Sequence, residues 1–170
     1  MFNKTTQKAA VFQLRPGLPR EIGCVYWRTT GRPDISVLTP WHVAVMETPE
    51  IYGRRGEPAE LLSLEHHFQA SADVFQSDFC RAWWKFKRLA QGVDESYAAR
   101  IGTVQKTWSA MEHRLLQDQT RIEVEAVAIW PTDPAAARAL LTRFCSEWAL
   151  EACAEADKLT ETLAPKSARE

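Results

Sequence analysis

The chain has 170 residues, which is enough for one domain with a proper hydrophobic core. Its 21 basic and 22 acidic residues are mixed along the sequence, so neither nucleic acid nor an anionic membrane surface is an expected partner. The N-terminal residues lack the apolar core of a signal peptide, and no apolar stretch approaches the ~20 residues needed to cross a bilayer. We therefore expect a soluble, cytoplasmic protein.

Three strands are predicted within residues 8–46. The runs AAVFQL, IGCVYWRTT and ISVLTPWHVAV are rich in β-branched and aromatic residues. They are separated by RPGLPRE and GRPD, whose proline, glycine and aspartate residues favour tight turns. This order predicts a short antiparallel meander.

Cys24 lies in the second predicted strand, where catalysis is the first question. By the two-residue period of a strand, Cys24 shares a face with Tyr26 and Arg28, and the opposite face carries Val25 and Trp27. Apolar side chains on both faces predict a sheet that is covered on both sides. Cys24 is then interpreted as a small packing residue, since no helix N-terminus or neighbouring histidine is present to activate its thiol.

An alternative hypothesis pairs Cys24 as nucleophile with His42 as base, oriented by Asp34 or Glu47. It requires that the second and third strands bring both side chains to the same face of the sheet. Otherwise, His42 is expected to be a partly buried histidine that bonds Glu47 or a backbone carbonyl.

The remaining cysteines and histidines give no sign of a metal site. Cys80, Cys145 and Cys153 are far apart and form no CxxC pair, so free thiols are expected. His66 and His67 are adjacent, which sends their side chains in different directions and disfavours a shared metal ion. The familiar catalytic and nucleotide-binding motifs are also absent. The sequence therefore assigns no catalytic, cofactor-binding or metal-binding residue.

Residues 47–76 are predicted to form a connector, and residues 77–164 to form helices. The first helix is expected to begin near Ser77 or Asp78 as its cap. Steps of three and four residues define its apolar side, which carries Phe79, Trp83, Phe86 and either Leu89 or Ala90.

Two longer helices are predicted to follow. The second opens at Asp94 and extends towards Trp130, where Pro131 stops it; its seam is Tyr97, Ile101, Val104, Trp108, Met111, Leu115, Ile122 and Val127. The third has Asp133 as cap and Pro134 at its first position. Residues 165–170 are expected to fray. The apolar stripe of the third helix is Leu141, Cys145, Trp148, Ala152, Ala156, Leu159 and Leu163, with Cys153 beside it.

Several segments follow one another over nearly the whole chain: GCVYWRTTGRPD, AWWKFKRL with the following VDESY, and a closing helix that contains LTRF. In this order they resemble the C-terminal part of the cysteine dipeptidase family of N-terminal nucleophile (Ntn) hydrolases. The family fold is a four-layer αββα sandwich. The resemblance implies an α+β chain, residues 1–170, that forms a single partial domain and supplies the last strands and the C-terminal helices of that sandwich.

The resemblance also implies how the chain would work. Members of the family cleave dipeptides through an acyl-enzyme on the thiol of an N-terminal cysteine, with its own α-amino group as the base. Here Met1 is followed by Phe2 and the first cysteine is Cys24. The nucleophile is therefore expected in an N-terminal portion outside this sequence, and this chain alone is expected to be inactive, with no cofactor.

Partners follow from the same resemblance. The first strand would have an unpaired edge and an apolar face, which favours binding of the N-terminal portion or self-association. A dipeptide would be the substrate of the complemented enzyme. The alternative is a protein-interaction module without chemistry, for which seven tryptophans would be suitable.

Overall fold

The computed structural model describes residues 5–53, 63–69 and 76–164. In these ranges the chain is α+β, with a three-stranded antiparallel sheet followed by long helices. The strands are β1 (Ala10–Leu14), β2 (Cys24–Thr29) and β3 (Leu38–His42), in the spatial order β1-β2-β3. All three fall within residues 8–46, which confirms the predicted meander.

Five α-helices accompany the sheet in the described ranges. They are α1 (Arg20–Gly23), α2 (Leu64–Phe68), α3 (Ala82–Asp94), α4 (Tyr97–Ile129) and α5 (Pro134–Leu163). Single 3₁₀ turns occur at Pro33–Ile35 and Glu50–Tyr52. None of these described helices is long and apolar enough to cross a membrane.

The second strand begins two residues later than its predicted start at Ile22. Residues Arg20–Gly23 form the helical turn α1, which places Ile22 in the core instead of on the face of Cys24. The turn brings the chain so close to itself that a Cβ atom on Gly23 would lie 2.7 Å from the carbonyl oxygen of Arg15. Only glycine fits such a close approach, so Gly23 is a bend residue and not a strand residue.

Helix α3 begins at Ala82, not at Ser77 or Asp78. The Asp78 carboxylate caps a preceding turn by accepting a hydrogen bond from the Cys80 backbone. The apolar side is also rotated by one residue from the predicted one, because the buried positions are Ala82, Phe86, Leu89 and Val93. Phe79 and Trp83, predicted on that side, are 43% and 38% exposed.

The long helices agree better with their predicted seams. Helix α4 begins at Tyr97, because Asp94 is the last residue of α3. Four of its predicted seam residues are fully buried, namely Val104, Trp108, Met111 and Leu115, whereas Tyr97 is largely exposed. The helix ends at Ile129, just before Pro131, as expected.

Helix α5 confirms its predicted start and its predicted stripe. The Asp133 carboxylate accepts a hydrogen bond from the backbone of Ala136, and Pro134 is the first helical residue. Its buried stripe contains Leu141, Cys145, Trp148, Ala152, Ala156 and Leu159, with Cys153 also buried.

Some expectations fall on parts of the chain outside the described residues. These are the frayed tail at 165–170, much of the connector, and the orientation of the side chains of His66 and His67.

The two faces of the sheet are covered unequally. One face, here called the helix side, packs on α4, where the Leu38 backbone donates a hydrogen bond to Glu112. The opposite face, here called the outer face, carries Phe12 and Leu14, each 69% exposed. The prediction of a sheet covered on both sides is therefore wrong at β1. The complete set of outer-face residues is Ala10, Phe12, Leu14, Cys24, Tyr26, Arg28, Thr39 and Trp41.

Candidate functional site

Cys24 and His42 lie on opposite faces of the sheet. The register pairs Val25 with His42, so the side chains of these two residues share the helix side. Cys24, one residue earlier, is half-buried on the outer face. Asp34, a suggested orienting group, instead accepts hydrogen bonds from Arg32 and Tyr97. The structure therefore contradicts the hypothesis of a Cys24–His42 catalytic pair.

His42 is a buried histidine that bonds a backbone carbonyl, as expected for the non-catalytic interpretation. Its Nδ1 atom lies 2.9 Å from the carbonyl oxygen of Ile22, a distance at which a protonated Nδ1 donates a hydrogen bond. Its Nε2 atom lies 3.6 Å from a carboxylate oxygen of Glu123, and not near Glu47 as suggested. Burial lowers the pKa of His42, against the opposing effects of Glu123 and of the Ile22 carbonyl.

Glu123 is the centre of a polar cluster on the helix side, where the ends of the strands meet α4. Its two carboxylate oxygens accept hydrogen bonds from Arg15 at 2.5 Å each. Arg15 also donates to the carbonyl of Ile22, the group that His42 contacts. Gln119 donates to Glu123 and to the side chain of Gln13 on β1. The cluster ties the sheet to α4 and offers no nucleophile.

No local sequence signal could have found this cluster. Arg15 and Glu123 are 108 residues apart, and each looks like an ordinary surface charge in its own segment. Glu123 follows Ile122 on α4, next to a predicted seam position, and such a flanking position is usually solvated. The pairing is a property of the tertiary fold.

Two of the other thiols are unsuited to catalysis. Cys145 is fully buried, and burial raises its pKa to about 12. Cys153 is buried beside Tyr52, and burial also raises the pKa of its thiol. A thiol in an apolar setting remains protonated at neutral pH and is a poor nucleophile. Cys145 and Cys153 are therefore packing residues, as their positions on α5 indicated, whereas Cys80 is exposed.

A polar cavity of about 740 Å³ lies between the turn at Pro33–Ile35 and the first half of α4. Arg32 is buried in its wall and forms a bidentate ion pair with Asp94 at 3.0 Å. The Trp108 ring also lines the cavity, and its indole N–H donates to the backbone carbonyl of Ile35. The carboxylates of the wall are thus held by Arg32 and Tyr97, which fits a structural role. Across residues 5–53, 63–69 and 76–164, no group of three or more metal-binding side chains comes together.

The buried state of His42 has a consequence for stability against pH. The free energy of unfolding is expected to fall as the pH drops below 6.5, because the unfolded chain takes up a proton that native His42 excludes. The variant His42→Asn retains a donor for the Ile22 carbonyl and should show a flatter dependence in urea unfolding followed from neutral to mildly acidic pH. His113→Asn is the matched control. An equal slope in wild type and His42→Asn would contradict the expectation.

Comparison with known proteins adds no relative. No protein-family model matches the chain, and no curated protein matches it. Its function is therefore inferred from its own residues and their arrangement.

Proposed function

We propose that this chain is the C-terminal part of a cysteine-type dipeptidase of the Ntn-hydrolase family. In the assembled enzyme, a dipeptide would be hydrolysed through an acyl-enzyme. The nucleophilic cysteine and its amino-group base would come from an N-terminal portion outside this sequence. The ordered run of GCVYWRTTGRPD, AWWKFKRL, VDESY and the closing helix is the observation that carries the proposal.

The architecture supports this proposal in one specific respect. In a four-layer αββα sandwich, each sheet has helices on one face and the other sheet on the opposite face. Here the helix side of the sheet is packed on α4, while the outer face leaves Phe12 and Leu14 exposed at β1. A sheet with one helical layer and one open apolar face is what half of such a sandwich would present.

The arrangement of thiols and bases fits a chain that is inactive by itself. Cys24 has no histidine on its face of the sheet, and Cys145 and Cys153 are buried. Within the described residues, the pair that was considered as nucleophile and base is not formed. The role left for this chain in the assembled enzyme is to supply the scaffold.

Dipeptide hydrolysis with and without a complementing portion tests the proposal. The chain alone, in reducing buffer, is expected to release no amino acids from a mixed dipeptide panel. Addition of the N-terminal portion of a cysteine dipeptidase should produce release that iodoacetamide abolishes. Activity of that complex should survive Cys24→Ala, because a residue of the other portion carries the acyl group.

The control variant is Cys80→Ala, which removes the exposed thiol and should also retain activity in the complex. Thiol-sensitive hydrolysis by the chain alone, lost in Cys24→Ala and kept in Cys80→Ala, would contradict the proposal and identify Cys24 as the nucleophile.

The second candidate function is a protein-interaction module without chemistry. The exposed apolar side chains of β1 favour it, since aromatic and aliphatic groups on an edge strand are a common binding surface. It predicts that a partner binds the sheet and that no combination of chains hydrolyses dipeptides. The same assay, combined with a binding measurement, separates the two candidates.

A further inference from the structure

Strand β1 has one free edge, and the register shows which backbone groups face it. The Thr29 amide donates to Ala9 and the Arg15 amide donates to Gly23, which fixes these as hydrogen-bonded pairs between β1 and β2. Hydrogen-bonded and non-hydrogen-bonded pairs alternate along an antiparallel ladder. The amide and carbonyl groups at the alternate positions therefore point away from β2, and these positions are Ala10, Phe12 and Leu14.

The helix side of this edge is an apolar groove. A cavity of about 350 Å³ lies between β1 and α4, and its walls include Val11, Trp27, Leu38 and Leu116. Val11 and Leu116 are each about half exposed, at 54% and 53%. Helix α4 thus carries apolar surface up to the edge of the sheet, where one more strand would cover it. Such a strand would be buried on the side that faces α4.

The outer face beside this edge carries an arginine that lacks a counter-ion. Arg28 is half-buried, and it forms no ion pair with any residue in the described ranges. Its Nε atom is buried without a hydrogen-bond partner. None of the outer-face residues is acidic. A layer that covers this face would remove Arg28 from water, at a high cost in free energy unless the layer supplies an acceptor.

We propose that the β1 edge and the outer face bind one partner polypeptide, which adds a strand beside β1 and places a carboxylate on Arg28. Ala10 lies between Arg28 and the position of the added strand, since the register pairs Ala10 with Arg28. The small Ala10 side chain leaves room for a glutamate of the added strand to reach across it. The identity of the partner, the nucleophile-bearing N-terminal portion, rests on the proposed function.

A second copy of this chain is a poorer occupant of the same surface. Packed face to face, two outer faces would offer no carboxylate to either Arg28. Paired edge to edge through β1 alone, two copies would bury little beyond one short strand each, below the roughly 1,200 Å² typical of stable interfaces. The partner is therefore expected to be a different sequence, apolar on both sides of its strand and acidic opposite Ala10.

A designed peptide is the direct probe. Acetyl-Ser-Val-Thr-Val-Ile-Glu-Ser-amide, laid antiparallel to β1, puts its first valine opposite Leu14, its second opposite Phe12 and its glutamate opposite Ala10. NMR titration of the isotope-labelled chain should shift the amides of Ala10, Phe12 and Leu14. The matched peptide with glutamine in place of glutamate should bind about five-fold more weakly, the upper range for a partly exposed ion pair. Against Arg28→Met, the two peptides should bind equally.

Three results would overturn the proposal: shifts confined to other amides or absent, equal affinity of the two peptides for the unchanged chain, or self-association that shifts the β1 amides without peptide. The two-peptide comparison uses the unchanged chain, so it does not depend on the folding of a variant. No dipeptide hydrolysis enters this experiment. A failure here thus leaves the dipeptidase proposal to its own assay, and a failure there leaves this binding surface intact.

Discussion

Replacement of Phe86 by alanine is expected to lower the free energy of unfolding by about 3–5 kcal/mol, the usual cost of removing a large aromatic ring from a core. Phe86 is buried on α3, and its ring lies 6.0 Å from the ring of Trp108 on α4. The Cβ position of Gly31, a residue with φ of +95°, would lie 3.3 Å from the Phe86 side chain. The ring thus joins α3, α4 and the turn after β2, and the cavity left by alanine could not close without moving all three.

The matched control is Phe79→Ala. The sequence placed Phe79 and Phe86 on one apolar stripe, but Phe79 is 43% exposed and its ring packs only under the Arg88 guanidinium, 4.8 Å away. Its loss is expected to cost less than about 1 kcal/mol, as exposed cation–π pairs do. Urea unfolding followed by tryptophan fluorescence measures both variants. Equal destabilisation by the two substitutions would mean that the predicted phase of this helix is right and the observed one wrong.

Replacement of Glu123 by alanine is the second large effect. Arg15 would lose both hydrogen bonds of its bidentate pair, and Gln119 would lose one acceptor. Breaking a buried ion pair typically costs about 3–5 kcal/mol. The Arg15 side chain is 30% exposed and can be partly hydrated, so we expect about 2–3 kcal/mol here.

The control for this prediction is Glu125→Ala, which removes an exposed glutamate of the same helix. It should change the free energy of unfolding by less than about 0.5 kcal/mol, as is usual for surface positions. The double variant with Arg15→Met tests the coupling, because loss of both partners should cost less than the sum of the single losses. Additive costs would show that the pair contributes nothing beyond its separate residues.

The sequence predicts elements whose signals are local. Asp133 followed by Pro134 places the start of α5 correctly, because a cap and a first-turn proline act within a few residues. The three strands are also correct, because their turn residues and β-branched runs are contiguous. The phase of α3 could not be derived, since apolar residues occupy both candidate stripes, and tertiary contacts place Phe86 rather than Phe79 inside.

The candidate site follows the same distinction. That His42 would bond a carbonyl was predictable from the habits of buried histidines, but Ile22 as the carbonyl and Glu123 as the neighbouring acid required the fold. The face of Cys24 was derived from strand period alone. Its partial exposure was not, because apolar residues on both faces predict two covering layers, and the described chain supplies a single one at β1.

The 108-residue separation between Arg15 and Glu123 also bears on how the chain is made. Synthesis produces the strands first, and the helix that covers their helix side emerges only after Glu123 has been translated. Contacts between distant segments form slowly, because loop closure costs entropy before the contacts compensate for it. A nascent sheet therefore waits with both faces and one edge open to water, a state prone to aggregation. We expect the interval between translation of β1 and of Glu123 to be the period when this chain most needs a chaperone.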